Sequence, residues 1–266
     1  MEINLKGKRV LITSSTKGIG KELAKVFLKE GCKVVITSRN KQNVNLALEE
    51  LRQISSNDVF GLTSDLTDYN SLSKLVNDTI NLLGGIDVLV VNSGNTPKEP
   101  STMLENSIED WEHATRLFLL GPVYLSTLVS KYMIEQKWGR IIFISSWTIK
   151  EPQDFFSLAD VTRASLIQFT KLLARELGKY GITVNVLLLG SFPTETSIKT
   201  LHKIAQKLGM HFDELWNKYV IDVSAVKRVG NVEKDLGPLV IYLSSEYSSY
   251  VTGSYFLIDG GTTRAI

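Results

Sequence analysis

The chain has 266 residues, 43% of them apolar and 22% charged, with a formal net charge of +2; that length suits one α/β core, and the near balance of acids and bases, with no basic stripe, argues against a nucleic-acid partner. The single cysteine, Cys32, excludes an internal disulfide and fits a reducing compartment. Residues Met1 to Arg9 lead into the first strand without a signal-peptide core, and no uninterrupted apolar run approaches the ~20 residues of a membrane span, so a cytoplasmic protein without a membrane partner is expected.

In chain order, short β-branched runs alternate with segments of helical period. Val10 to Thr13 reads as a strand, Gly18 to Glu30 as a helix, Lys33 to Thr37 as a strand and Val44 to Ile54 as a helix. The alternation continues with Val59 to Leu62, Ser71 to Leu83 and Ile86 to Val91, then a long helix from about Ser107 to Gln136. Arg140 to Ser145, a helix from about Ala159 to Lys179, Ile182 to Leu189, a helix near Val232 to Ser244, and Tyr255 to Ile258 complete the series. The strands are apolar on both faces, as a buried parallel sheet requires. Strand–helix alternation with short connections predicts right-handed crossovers: one doubly wound α/β domain over residues 1–266, of about seven parallel strands with helices on both faces. The segment 190–230, with a polar amphipathic stretch from Glu195 to Tyr219, interrupts the rhythm after the carboxyl end of a strand. It reads as a substrate lid or as a surface insertion, and its length in a compact domain favours the lid.

Thr13-Ser14-Ser15-Thr16-Lys17-Gly18-Ile19-Gly20 follows the first strand and opens the first helix. Glycines at such a turn let backbone approach a pyrophosphate, and the helix N-terminus offers free N–H groups. Strand, turn, helix and second strand within about 30 residues make a Rossmann-type dinucleotide site. The turn resembles the fingerprint Thr-Gly-x-x-x-Gly-x-Gly of the short-chain dehydrogenase/reductase family, with Ser14 where that family has its first glycine. A serine narrows the backbone angles open to the turn, and its hydroxyl can hydrogen-bond locally. Where NAD binders of this fold place an acid, the second strand ends in Thr37-Ser38-Arg39, and Lys17 lies in the facing loop. Arg39 alone would also pass for a solvated surface residue. Together with Lys17 and the missing acid it points, by the family's pattern, to NADP(H) over NAD(H).

The resemblance spans nearly the whole chain. It implies that Asp65 and Leu66 lie against the adenine, and that Asn92-Ser93-Gly94 lies close to the adenosine ribose. Gly190 and Thr194 fit the family segment that touches the nicotinamide carboxamide, although Leu189 stands where proline is usual. Asp259-Gly260-Gly261 closes the chain in the family manner.

The family's proton chemistry uses a tyrosine, a lysine four residues later, a serine and an asparagine. Aligned on the strand from Arg140, the serine is Ser146; the tyrosine position, thirteen residues on, holds Ala159, and the lysine position holds Arg163. The asparagine position, seven residues after Trp111, holds Phe118. None of the nine tyrosines has a lysine four residues later. Alanine has no proton to give, where a general acid typically contributes ~10²–10⁴-fold. Arg163 keeps a fixed charge that can hold ribose hydroxyls. Asp154 and Asp160 are the nearest carboxylates in sequence; they read first as a solvated loop acid and a helix-start residue. Trp147, Phe155, Phe156 and Phe192 read as pocket walls or as plain core.

The pattern resembles β-ketoacyl carrier-protein reductases with an incomplete tetrad. It implies an NADP(H)-dependent oxidoreductase of a small carbonyl or alcohol substrate, with Ser146 and Arg163 as its catalytic residues, no metal, and a homo-oligomer, most commonly a tetramer, as its assembly. A non-catalytic NADP(H)-binding sensor or assembly subunit fits the same residues. A lyase similar to the halohydrin dehalogenases shares the serine and arginine but lacks its tyrosine here.

Overall fold

The computed structural model describes residues 3–94 and 98–265; the expectations that include Met1, Glu2 and Ile266 lie in part outside these. Seven strands form one parallel sheet in the order β3-β2-β1-β4-β5-β6-β7. They are β1 (Arg9–Ile12), β2 (Lys33–Ser38), β3 (Val59–Thr63), β4 (Val88–Val91), β5 (Gly139–Ser146), β6 (Ile182–Leu189) and β7 (Ser254–Ile258). Val10 of β1 pairs with Val34 on one side and Val88 on the other. The strand order therefore reverses between β1 and β4, where a doubly wound sheet opens a crevice beyond its carboxyl ends.

The helices are α1 (Gly18–Lys29), α2 (Lys41–Leu51), α3 (Tyr69–Leu83), α4 (Ile108–Thr115), α5 (Gly121–Gln136), α6 (Ser157–Leu177), α7 (Glu195–Leu208), α8 (Phe212–Trp216) and α9 (Gly237–Leu243). Strand parity explains why both sheet faces are apolar. Val10 and Ile12 join Leu23, Phe27, Leu51 and Val240 in the layer of α1, α2 and α9. Leu11 between them joins Leu75, Leu125, Val129 and Leu166 in the layer of α3, α5 and α6. Asn40 and Asp68 cap α2 and α3 by accepting two backbone N–H bonds each.

The expected helix from Ser107 to Gln136 is one continuous rod, but a π-helical turn, Arg116–Leu120, interrupts it. Pro122 supplies no N–H there, which disturbs the α-helical ladder, and Phe118 in the turn is completely buried. By length and composition the helix Ile108–Gln136 would suffice to cross a membrane, although its apolar residues are interrupted by polar ones. In this fold Leu125, Val129 and Met133 bury its face on the sheet. The excursion after β6 contains α7, α8 and a π-helical turn, Asn217–Ile221.

Candidate active site

The turn between β1 and α1 is fastened from below. Thr13 Oγ1 donates to the Asn92 carbonyl at 2.8 Å, and the Asn92 N–H donates back to it at 3.0 Å. Ser15 is fully buried; its hydroxyl donates to the Ile12 carbonyl at 2.6 Å and accepts the Thr37 N–H at 2.9 Å. Ser14 takes the left-handed backbone region that its glycine counterpart would favour, with φ +47°. Its bonds run through the backbone, from Ser14 N–H to Thr37 Oγ1 at 3.1 Å and from Asn92 Nδ2 to the Ser14 carbonyl at 3.0 Å. Gly20 must be glycine for space, because a Cβ would stand 2.7 Å from that same carbonyl. Lys17 caps α1 without a side-chain bond, so the first-turn N–H groups stay open to an anion.

A cleft of about 390 Å³ lies over the carboxyl ends of the strands, walled at this turn by Thr13, Ser14, Thr16, Lys17, Gly18 and Ile19. At one end Arg39 Nη1 lies 3.9 Å from Asp65 Oδ2, with Leu66 beside them. Asp65 is held in place by accepting the Thr67 N–H and hydroxyl, both at 2.8 Å. Asn92, Ser93 and Gly94 line it further on, with Ser145 and Arg163, and Thr194 stands against Gly18. Asn43, Ser145 and Thr196 also line the cleft; the sequence carried no signal for Asn43 or Thr196, and Ser145 was hidden by its neighbour Ser146. Ser15, Gly20, Gly190 and Ser146 are not in the lining. Gly190 continues the β6–β7 pairing through a 2.9 Å bond to the Ile258 carbonyl, and a Cβ there would be 2.6 Å from Asp259 Cα.

At the far end α6 carries Ala159, Asp160 and Arg163. Ala159 is buried with Ala114, Phe118 and Leu158. Its N–H, in the first turn of α6, donates to Glu99 Oε1 at 2.9 Å. Glu99 is a buried carboxylate that sequence reasoning missed, since an isolated glutamate in a loop has no pattern. The Arg163 guanidinium lies 4.0 Å above the Phe118 ring, and its Nη2 donates to the Gly94 carbonyl at 3.0 Å. Burial pulls the Arg163 pKa down, while the charges of Glu99 and then Asp160 push it back up. Asp154 is exposed in a turn, as read. Asp160 does occupy the first turn of its helix, but it is only 3% exposed and binds the Thr148 hydroxyl and the Gln153 N–H. Burial holds its carboxyl above the ordinary range, against the lowering effect of those bonds and of Arg163. Phe155 and Phe156 pack against Ile204 and Leu215 of the α7–α8 excursion, while Phe192 is plain core.

Two buried donors in the cleft wall, Ser145 Oγ and Arg163 Nε, have no partner among the described residues. With an uncapped helix turn and Lys17 in the middle, and Arg39 at the outer end, the cleft offers donors along its length, as a dinucleotide requires.

Residues 8–205 match the short chain dehydrogenase family. The chain is 33% identical over 264 residues to the 3-oxoacyl-acyl-carrier-protein reductase FabG of Aquifex aeolicus, covering 98% of this chain and 99% of that one. It is 32% identical to dehydrogenase/reductase SDR family member 4 of Caenorhabditis elegans, covering 96% and 95% of the two chains. Among solved structures, L-sorbose reductase of Gluconobacter frateurii, complexed with NADPH and L-sorbose, superposes with a TM-score of 0.91 at 28% identity over the whole of both chains. Actinorhodin polyketide ketoreductase with NADPH gives 0.90 at 26% identity, over 97% and 98% of the chains. Family match, identity over full length and shared architecture agree: the chain belongs to the short-chain dehydrogenase/reductase family.

Proposed function

We propose that the chain is an NADP(H)-dependent oxidoreductase of a carbonyl or alcohol substrate, with a non-standard active site in which Ala159 and Arg163 stand at the family's tyrosine and lysine positions. The observation that carries this reading is Arg163, which lines the same cleft as the uncapped turn of α1 and has an unpartnered Nε. A bound nicotinamide supplies or accepts a hydride. Arg163 holds its ribose through a planar donor fork, the α1 turn and Lys17 hold the phosphates, and Ser146 orients the substrate oxygen. Arg39 meets a 2′-phosphate at the outer end, where β2 closes without the acid that would repel it. Two NADPH-bound relatives of the same architecture support that cofactor.

The segment 190–230 acts in this reading as a lid over a small substrate, supported by the contact of α7 and α8 with Phe155 and Phe156. Exposed Leu120, Val161 and Leu172 on the α4–α6 face, and Tyr255 and Leu257 on β7, offer apolar surfaces for a homotetramer. Buried Cys32, its thiol pushed up to about 12 mainly by desolvation, suits a cytoplasmic protein. One feature favours the second reading, a non-catalytic NADP(H) sensor or assembly subunit: the Ala159 methyl is packed among apolar side chains and offers no proton. Titration with NADPH and NADH, followed by NADPH oxidation across a panel of ketones and aldehydes, tests both. Tight NADPH binding with turnover supports the enzyme, and binding without turnover supports the sensor. Equal affinity for the two nucleotides would sink the NADP(H) assignment.

A further inference from the structure

Ser146 ends β5 and caps the short 3-10 turn Trp147–Ile149, accepting the Thr148 N–H at 3.3 Å. The Thr148 hydroxyl, itself buried, lies 2.9 Å from Ser146 Oγ and is hydrogen-bonded on its other side to Asp160 Oδ1. The second Asp160 oxygen accepts the Gln153 N–H at 3.0 Å. Three oxygens thus form an unbroken line from a buried carboxyl to Ser146, which is half-buried at the carboxyl end of β5.

From this geometry we infer that Ser146, Thr148 and Asp160 form a proton relay that supplies the substrate oxygen in place of a tyrosine; the inference rests on the oxidoreductase reading above. A hydroxyl carries one proton, so the line has two polarities. With Asp160 protonated, Asp160 donates to Thr148, Thr148 donates to Ser146, and the Ser146 proton points out of the line. With Asp160 ionised, every donor reverses and Ser146 gives its proton inward. The two states differ by one proton delivered at Ser146.

In the reductive direction, a hydride from the dihydronicotinamide forms the new C–H bond and the C=O π bond breaks. The substrate oxygen takes the proton of Ser146 Oγ, Ser146 takes that of Thr148, and Thr148 takes that of Asp160. The products are the alcohol, the oxidised nicotinamide and an Asp160 carboxylate. After the alcohol leaves, one solvent proton enters at Ser146 and the reverse shifts restore the acid. Oxidation runs the same line backwards.

The environment of Asp160 suits this role. Its carboxyl is held above the ordinary carboxylate value of ~3.9 chiefly by desolvation, against the Gln153 N–H, the Thr148 hydroxyl and the charge of Arg163 one turn along α6. Glu99, the other buried carboxylate at this end, is committed to the Ala159 N–H and to the charge of Arg163. Asp154 is exposed in a turn, and no bond of the line reaches it.

Two measurements test the relay. Infrared spectroscopy of the nucleotide-free protein should show one protonated carboxyl band that survives to higher pH than the other carboxylates and is missing from Asp160→Asn. Its absence from the parent protein would overturn the relay, whether or not the chain turns over any substrate. With NADPH and a reducible carbonyl compound, Thr148→Val and Asp160→Asn should each lower kcat by on the order of 10²-fold. Both should leave the NADPH dissociation constant unchanged and remove the fall in rate as pH rises through the Asp160 pKa. Thr148→Ser keeps the hydroxyl and should restore both rate and pH profile. Parental kcat and pH profile in Thr148→Val or Asp160→Asn would overturn the relay while leaving the oxidoreductase reading intact. A parent that binds NADPH but reduces nothing overturns the oxidoreductase reading and with it delivery to a substrate, and the infrared band then shows only whether Asp160 holds a proton.

Discussion

Removing Arg163 should weaken the fold and the cofactor site together, by amounts that its contacts set. Arg163→Ala deletes the 3.0 Å bond to the Gly94 carbonyl, worth about 1 kcal/mol. It also deletes the stack 4.0 Å above Phe118, worth about 1 kcal/mol. The buried carboxyls of Glu99 and Asp160 lose their neighbouring cation. A fully buried pair broken in this way costs ~3–5 kcal/mol, but Arg163 is only half-buried and solvent screens it, so about 1 kcal/mol is a fair share. The expected loss is about 3 kcal/mol, which for a chain of this size lowers Tm by roughly 6–12 °C. Under the proposed function the same change would also remove charged hydrogen bonds to ribose hydroxyls, ~1.5–3 kcal/mol, or roughly 10–150-fold in the NADPH dissociation constant. Thermal melts of the nucleotide-free protein and fluorescence titrations with NADPH, at one fixed salt concentration, read the two effects separately. Under the enzyme reading turnover falls as well, because a loose nicotinamide misplaces the hydride. If Tm drops while the NADPH affinity stays at the parental value, Arg163 is a structural residue only, and the placement of the active-site helix against the cofactor is wrong.

At the outer end of the cleft, Arg39→Asp should weaken NADPH by ~10-fold or more and narrow or reverse the preference over NADH; paired titrations check this, and an unchanged ratio would remove Arg39 from the site. Ser14→Gly should leave the turn's backbone bonds in place and relieve a left-handed φ of +47° that costs a serine ~1 kcal/mol. Because the glycine also loosens the unfolded chain, by ~0.4–1 kcal/mol, urea unfolding should show a change between zero and ~0.6 kcal/mol in the stabilising direction, and a clear loss would contradict the strain argument. Asp160 has a folded pKa raised above its unfolded value, so its contribution to stability is fully present below the unfolded pKa and is lost as pH rises through the folded one. The parent should therefore lose stability relative to Asp160→Asn as pH rises above the unfolded carboxylate value of ~3.9, and a difference independent of pH in urea melts would refute the burial argument.

The parts of this fold that sequence made legible are those where one residue type has one physical use. Runs such as Val34 to Ile36, apolar at every position, announce a strand covered on both faces, and the parity of Val10, Leu11 and Ile12 between two cores shows why. The glycines at 18 and 20 were legible because backbone approach admits little else. Less legible were groups whose meaning depends on residues distant in sequence. Glu99 lies 60 positions from the N–H it accepts, in a loop without periodicity. Asp160 looks like any acid at the start of a helix until burial and Thr148 are seen together. The π-helical turn that seats Phe118 left only Pro122 as a trace.

The residues at positions 118, 159 and 163 make physical sense as a set. A guanidinium is flat, so Arg163 can cover the Phe118 ring with its face while its edge donates to the Gly94 carbonyl. A lysine ammonium offers a point charge without that face, and an asparagine at 118 would remove the surface on which the guanidinium rests. Small Ala159 packs in the same apolar cluster as Phe118, where a tyrosine ring in that cluster would compete for the space. If the three are coupled, the cost of Arg163→Lys must depend on what stands at 118. Stability should be measured for Phe118→Leu, Arg163→Lys and the double variant, by urea unfolding at low salt. Leucine keeps the burial but removes the π face, so Arg163→Lys should cost about 1 kcal/mol less in the Phe118→Leu background than in the parent. Additive losses, within the ~0.3–0.5 kcal/mol expected of independent sites, would mean that the stack contributes nothing and that Phe118 and Arg163 do not depend physically on one another.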